Sequence, residues 1–251
     1  LNRIPVFERE VQSKMIQIDD SWRLEHLLKN LRAKPGDELK LTFIGGGGLG
    51  TGRLESLCSE KALFSFDPKT LVKAPKAQTV LLLGLCRPPS MQKILEHGSA
   101  LGVSHFIFTP TALCEKSFLK SRKLEPEARE HRMLLGIVQG GQYDEIPRFT
   151  LASGFSSALE EFCNQADLRF FGELDSQIDL LSASAPGNHF KTGFALGPER
   201  GFTREEEDLL RKAECQGVLF HQGIQRVEIA TFLALGQWEL AQKVLRKTNP
   251  Q

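Results

Sequence analysis

Two short stretches in the last third of the chain combine carboxylates, cations and glycines at spacings that suit chemistry. The first is Gly197-Pro198-Glu199-Arg200-Gly201-Phe202, which follows the apolar run Thr192 to Leu196. Thr203, with Glu206 three positions later, forms a capping box that starts a helix behind it. Loops that leave a strand and open onto a helix are where parallel sheets bind ligands. Glycines there let a ligand approach the backbone closely, and Glu199 can accept hydrogen bonds or a proton. The plainer reading is a Gly-Pro turn joining two elements, with Glu199 near the positive end of the helix.

The second stretch is His221-Gln222-Gly223-Ile224-Gln225-Arg226-Val227-Glu228-Ile229-Ala230, between a short strand and a helix striped by Phe232, Leu233, Leu240 and Val244. Arg226 and Glu228 fall where that helix begins. A cation at a helix N-terminus opposes the dipole, so Arg226 calls for an anionic or oxygen-rich partner, whereas Glu228 is comfortable there on dipole grounds alone.

Two further motifs carry less. Gly45 to Gly50 satisfies Gly-x-Gly-x-x-Gly, but Arg53 to Leu57 behind it alternates like a strand and no Gly-Lys-Ser/Thr follows; a hairpin tip is predicted there instead of a nucleotide site. Lys116, Lys120, Arg122, Lys123, Arg129 and Arg132 oppose Glu125, Glu127 and Glu130. Such a run is usually a solvated helix face, but beside a ligand-binding sheet it also suits a polyanionic substrate, whose phosphates supply affinity without regard to sequence.

The elements that must position these residues fall into two groups. Period-two runs at 12–18, 38–43, 53–57 and 63–66 predict strands, interrupted by a helix at 22–31 that Asp20 or Ser21 can cap. This is a small barrel-like β domain, and the lysine- and proline-bearing stretch 69–77 reads as its linker. Beyond it, strands near 79–86, 103–108, 168–171, 193–197 and 218–220 alternate with helices near 91–98, 126–139, 156–164, from 204 and at 227–246. That pattern predicts an α/β domain with a mostly parallel sheet.

Composition bounds the rest. The 251 residues, 41% hydrophobic and 25% charged, exclude a disordered or fibrous chain. The apolar stretch 77–86 is half of the roughly 20 residues a membrane helix needs, and no apolar run backs a basic start, so neither a span nor a signal peptide is read and the cytoplasm is expected. Net charge is +1, but residues 71–135 carry 10 basic and 5 acidic side chains while 136–251 carry 11 and 16. Cys58, Cys86, Cys114, Cys163 and Cys215 lie at least 28 residues apart, which predicts reduced, mostly buried thiols and no metal knuckle. His26, His97 and His131 show no ligand spacing either.

On these loops the sequence resembles the SPOUT methyltransferases, and among them the small-subunit ribosomal RNA uridine-N3 methyltransferase family. The resemblance spans the chain: Arg3-Ile4-Pro5, His26-Leu27-Leu28, Leu31-Arg32 and Pro35-Gly36-Asp37 resemble its N-terminal PUA-like barrel. Leu101-Gly102-Val103, Thr109-Pro110 and Cys114-Glu115-Lys116-Ser117 resemble the first part of its catalytic domain. Leu196 to Glu199 with Gly201 to Thr203, and Ile224 through Arg226, Glu228 and Ala230, resemble its two C-terminal signatures.

The resemblance implies a PUA-like β-barrel at 1–72 and a trefoil-knotted α/β domain at 73–251, acting as a homodimer. S-adenosylmethionine would lie against Leu196, Gly197, Pro198, Gly201, His221, Gly223, Ile224, Ile229 and Ala230. Glu228 or Glu199 would be the base, and Arg226 would stabilise charge on the uracil oxygens. RNA would be held by Arg3, Arg32, Lys116, Lys120, Arg122 and Lys123, with no metal. Arg200 stands where the family usually carries glycine, and Val227 and Ile229 where it carries threonine. Two alternatives therefore stay open: a diverged, non-catalytic RNA-binding protein that keeps the fold, and a methyltransferase for a different RNA base.

Overall fold

The structure, a computed structural model, describes residues 3–183 and 191–248. It divides into two compact units, Leu1–Lys76 with Leu134–Ile146, and Ala77–Met133 with Pro147–Gln251.

The first unit is built on strands β1 (Ile4–Val6), β2 (Val11–Gln12), β3 (Met15–Ile18), β4 (Glu38–Phe43), β5 (Gly48–Leu57) and β6 (Ala62–Ser65), with helix α1 (Ser21–Glu25). Their order is β1-β4-β5-β6-β3-β2, with β1 parallel to β4 and every other pair antiparallel. Alternation sends Ile16, Ile18, Leu41, Leu54 and Phe64 inward, where Leu24 and Leu27 cover them. Two expectations change. The run at 12–18 is a hairpin, because Ser13 at φ 60° turns the chain between β2 and β3. The helix at 22–31 is α1 followed by a π-helical stretch, His26–Leu31, that stops at Arg32 in the left-handed region. Asp20 does cap α1, accepting from the Arg23 N–H at 3.1 Å. Arg23 is only 2% exposed. Its guanidinium donates to both oxygens of Glu10, to the Pro5 carbonyl and to Asp20, so the buried charge is fully paired.

The glycine run is the β4–β5 hairpin tip, as its sequence predicts. Asp144 pins it, accepting from the Gly45 N–H through its carbonyl at 2.9 Å and from the Gly48 N–H through Oδ2 at 2.8 Å.

The second unit runs β7 (Thr79–Gly84), α2 (Pro88–Ala100), β8 (Val103–Thr109), the part of α3 (Pro126–Gly140) up to Met133, β9 (Arg148–Leu151), α4 (Phe155–Gln165), β10 (Leu168–Gly172), α5 (Leu180–Ala183), β11 (Thr192–Leu196), α6 (Arg204–Lys212), β12 (Gln216–Val218) and α7 (Val227–Thr248). Its strands are all parallel, in the order β12-β10-β11-β7-β8-β9. Central β7 is buried along its length, as an uninterrupted apolar strand must be when helices cover both faces. One face carries Val80, Leu82, Ile107 and Ala195 against α4 and Leu210 of α6. On the other, Trp238 of α7 meets Phe170 and Phe194, and Gly98 of α2 lies on Phe106. Strands β1 and β9 escape the periodicity reading because neither alternates: β1 is buried throughout, and β9 is exposed at both ends and half-buried between.

The sequence placed 134–146 with the second domain; its contacts group it with the first unit, through the bonds of Asp144 to the glycine tip. The five cysteines are free, but only Cys86 and Cys215 are buried, while Cys114 and Cys163 are half-buried and Cys58 is exposed. Among the described residues no helix is long and apolar enough to cross a membrane, and no three His, Cys, Asp or Glu side chains group as a metal site.

Candidate active site

At the C-terminal edge of the parallel sheet, the loops after β10, β11 and β12 and the start of α7 enclose a pocket of about 350 Å³. The β11 loop turns sharply, with the Gly201 N–H donating to the Pro198 carbonyl at 2.8 Å and Gly201 at φ +74°. Gly197 sits inside that turn. A Cβ on it would lie 2.7 Å from the Gly201 carbonyl carbon and the Phe202 nitrogen, so no side chain fits. At the end of β7 a Cβ on Gly84 would lie 2.5 Å from Pro198 Cδ, which lets the loop rest on the strand. Thr203 and Glu206 form the expected reciprocal capping box and launch α6.

The β12 loop is shaped by His221, whose Nδ1 accepts from the Gly223 N–H at 2.9 Å and lies 3.1 Å from Gln225 Nε2. Gln237 of α7 holds its root by donating to the Phe220 carbonyl at 2.7 Å. Ile224 stands at the pocket wall, 81% exposed. An isoleucine left in water beside a concave site has apolar surface to offer a ligand.

Eight of the nine residues expected around a cofactor line this pocket: Leu196, Gly197, Pro198, Gly201, His221, Gly223, Ile224 and Ala230. The ninth, Ile229, is not in the lining and is exposed. Sequence reasoning missed the wall formed by Gly172, Glu173 and Leu174 after β10, as well as Leu219, Phe220 and Leu233. No glycine pattern or cap marks that wall. Glu173 is held by Arg211 of α6, whose guanidinium also lies over the Phe171 ring at 5.4 Å. Arg200 lines the pocket, is exposed, and leaves the cavity open.

The three candidate chemical groups separate. Glu199 is exposed in the pocket lining, and its Oε1 accepts from the Arg87 N–H at 2.8 Å where α2 begins. Glu228 is 3% exposed and outside the lining, with Lys93 of α2 at 3.6 Å from its Oε1. Burial alone would raise its pKa; the Ser90 hydroxyl, the helix-start N–H, Lys93 and Arg226 outweigh that and hold the carboxyl below the usual carboxylate range. Arg226 is exposed beside it, outside the lining. Buried Cys86 lies in the field of both carboxylates. Desolvation first, then Glu199 and Glu228, push its thiol far up, so it stays protonated and is no nucleophile.

The expected RNA contacts divide as well. Lys116, Lys120, Arg122 and Lys123 are all exposed on two consecutive 3-10 turns, Lys116–Lys120 and Arg122–Leu124, and Arg32 is exposed in the first unit. Arg3 is half-buried. Its Nε and Nη2 donate to the carbonyls of Leu41 and Gly50 and to Thr42 Oγ1, so those nitrogens serve the sheet.

A wholly parallel α/β sheet with a pocket of small-molecule size where its strands end defines a cofactor- or substrate-binding α/β protein. A family model described as an RNA methyltransferase domain matches residues 73–239. The chain belongs to that family. It is similar, at 24% identity over 222 residues covering 87% of this chain and 90% of the relative, to ribosomal RNA small subunit methyltransferase E 1 of Borreliella burgdorferi. It is 28% identical over 223 residues to ribosomal RNA small subunit methyltransferase E of Treponema pallidum, covering 84% of this chain and 80% of that one. Among solved structures, the Neisseria gonorrhoeae ribosomal RNA small subunit methyltransferase E bound to S-adenosyl methionine shares the fold, with TM-score 0.74 and 20% identity over 95% of this chain and 97% of that one.

Proposed function

We propose that the chain is an S-adenosylmethionine-dependent methyltransferase acting on N3 of a uridine in small-subunit ribosomal RNA. The observation that carries this reading is the pocket itself. Loops singled out from sequence for a sulfonium cofactor converge on one cavity, and the arginine at 200 does not close it. Its volume of about 350 Å³ falls within the roughly 300 to 1,000 Å³ of small-molecule sites. Apolar Leu196, Leu219, Phe220 and Ile224 suit an adenine ring, and the Glu173 carboxylate suits hydroxyl or ammonium groups. The names of the Borreliella and Treponema relatives, and the ligand in the Neisseria structure, support the substrate and the cofactor.

S-adenosylmethionine supplies an electrophilic methyl on a sulfonium; the protein aims it and makes the acceptor nucleophilic. A uracil N3 keeps its proton at neutral pH, so a base is needed. Of the two carboxylates Glu199 is the better base, because it lines the pocket and is reachable, whereas Glu228 is buried and its charge is already committed to α2. Arg226, at the exposed start of α7, is assigned to the charge that develops on the uracil carbonyl oxygens. Lys116, Lys120, Arg122 and Lys123 are assigned to the RNA backbone, with Arg32 in the first unit.

The same reading makes the first domain, 1–72, PUA-like and the second, 73–251, trefoil-knotted, in a cytoplasmic homodimer that needs no metal. Supporting the knot, β11 occupies the slot between β7 and β10, both of which precede it in the chain.

The test is direct. Purified protein should bind S-adenosylmethionine with about micromolar affinity by calorimetry and transfer labelled methyl to unmodified small-subunit RNA, with N3-methyluridine as the product. Cofactor binding without transfer to any RNA removes the substrate assignment. RNA binding without cofactor heat would instead mark a non-catalytic binder.

A further inference from the structure

A single carboxylate joins the loop that forms the pocket to the segment that carries the basic turns. Glu206, in the first turn of α6, is 7% exposed. Its Oε2 accepts from the Thr203 N–H at 2.9 Å, as a capping box requires. Its Oε1 accepts from the Ala112 N–H at 2.8 Å, a bond across 94 residues that capping does not explain.

Ala112 lies just after β8, where the chain leaves the sheet toward Lys116. From there on, the backbone bonds are local: Cys114 N–H to Thr111, Phe118 to Glu115, Ser121 to Phe118 and Leu124 to Ser121. Single 3-10 turns have little stability of their own, so whatever anchors their ends sets their position. The far end is anchored by buried Leu124, and the near end by Glu206. Among the described residues, no other hydrogen bond from 110–123 reaches a distant part of the chain.

We propose that Glu206 is a positioning residue that fixes the basic turns relative to the pocket loop, so that RNA gripped by Lys116, Lys120, Arg122 and Lys123 is presented to the bound cofactor. This rests on the methyltransferase reading. The carboxylate is required because two N–H donors converge on it; an amide offers one acceptor oxygen and turns a donor toward the other N–H.

Three variants test it. Glu206→Gln spoils one of the two bonds, Ala112→Pro removes the donor outright, and Thr203→Ala removes the reciprocal half of the capping box, the bond from the Glu206 N–H to Thr203 Oγ1, while sparing both carboxylate bonds. Native-state trypsin should cut after Lys116 to Lys123 about fivefold faster in the first two than in wild type or Thr203→Ala. RNA should bind those two about tenfold more weakly, with S-adenosylmethionine affinity within about twofold of wild type. Unchanged cleavage and RNA affinity in Glu206→Gln and Ala112→Pro would overturn the proposal, as would faster cleavage with unaltered RNA affinity. It would also fall if Thr203→Ala reproduced both effects, since helix capping would then suffice. A wild-type protein that binds no RNA sinks the parent reading as well, an outcome told apart by the absence of any reference affinity.

Discussion

The two units each carry a glycine-rich turn, and the turns do opposite things. Gly45 to Gly48 connects antiparallel β4 and β5, and its second half is tightly packed: a Cβ on Gly47 would lie 2.7 Å from Phe43 Cβ, one on Gly48 2.8 Å from the Val72 carbonyl, while Asp144 takes up the N–H groups of Gly45 and Gly48. Gly197 to Gly201 follows a parallel strand, and although Gly197 is as tightly packed, one side of the loop faces a cavity. Glycine content is common to both. What differs is the element that comes next: a returning strand closes the turn on itself, whereas a helix departing from the sheet edge leaves room at the strand ends.

The sharpest way to break this contrast is chemical. Glu199→Gln, isosteric and exposed, should lower the methyl-transfer rate by about 10² to 10⁴-fold with S-adenosylmethionine affinity and Tm nearly unchanged; single-turnover rates beside a thermal melt would check this. An unaltered rate would return the role of base to Glu228.

The second unit should also respond to acid. Buried His105 of β8 bonds Thr150 Oγ1 at 2.9 Å and faces Glu161, Arg148 and Lys191. Burial first, then Arg148, against the opposing pull of Glu161, depress its pKa to about 4. The unfolded chain takes up this proton near pH 6.5 and the folded chain does not. The stabilisation is therefore complete above that pH and is lost progressively as pH falls to about 4, amounting to on the order of 3 kcal/mol. Urea melts at pH 7 and pH 4.5 should show the loss, and His105→Gln should shrink it; equal slopes in both proteins would discount His105.

A smaller pair of effects compares the turns themselves. Gly197→Ala and Gly48→Ala should each cost about 1 to 3 kcal/mol of stability through overpacking, with added strain at Gly48 from its φ of +94°. Only Gly197→Ala should also weaken cofactor binding. Calorimetry on both variants decides it, and equal loss of affinity would erase the distinction between a closed tip and a ligand loop. Smallest of all, Arg200→Gly should change cofactor affinity by less than about threefold, because the exposed guanidinium leaves the cavity open.

How much could be read in advance follows the range of the interactions. The capping box at Thr203 and Glu206, the cap at Asp20, the glycine hairpin tip and the apolar central strand are local signals, and each appears where its residues predict. The two pocket loops were legible for the same reason. The Glu173 wall, the grouping of 134–146 with the first unit and the burial of Glu228 under Lys93 depend on partners tens to more than a hundred residues away, and no local pattern encodes them. Arg3 shows the same limit from the other side. An exposed cation for RNA is a fair reading of the residue type, but Nε and Nη2 of its guanidinium are engaged with Leu41, Thr42 and Gly50.

The amino-acid order by itself settled the class of each half of the chain and the two loops able to hold a ligand, because periodicity, caps and turn chemistry act over a few residues. Which carboxylate faces the cavity, whether Arg200 blocks it, and what Glu206 does with its second oxygen were decided only when strands distant in sequence became neighbours. Side-chain burial and hydrogen-bond pairing depend on what lies opposite, and that is a property of the assembled sheet.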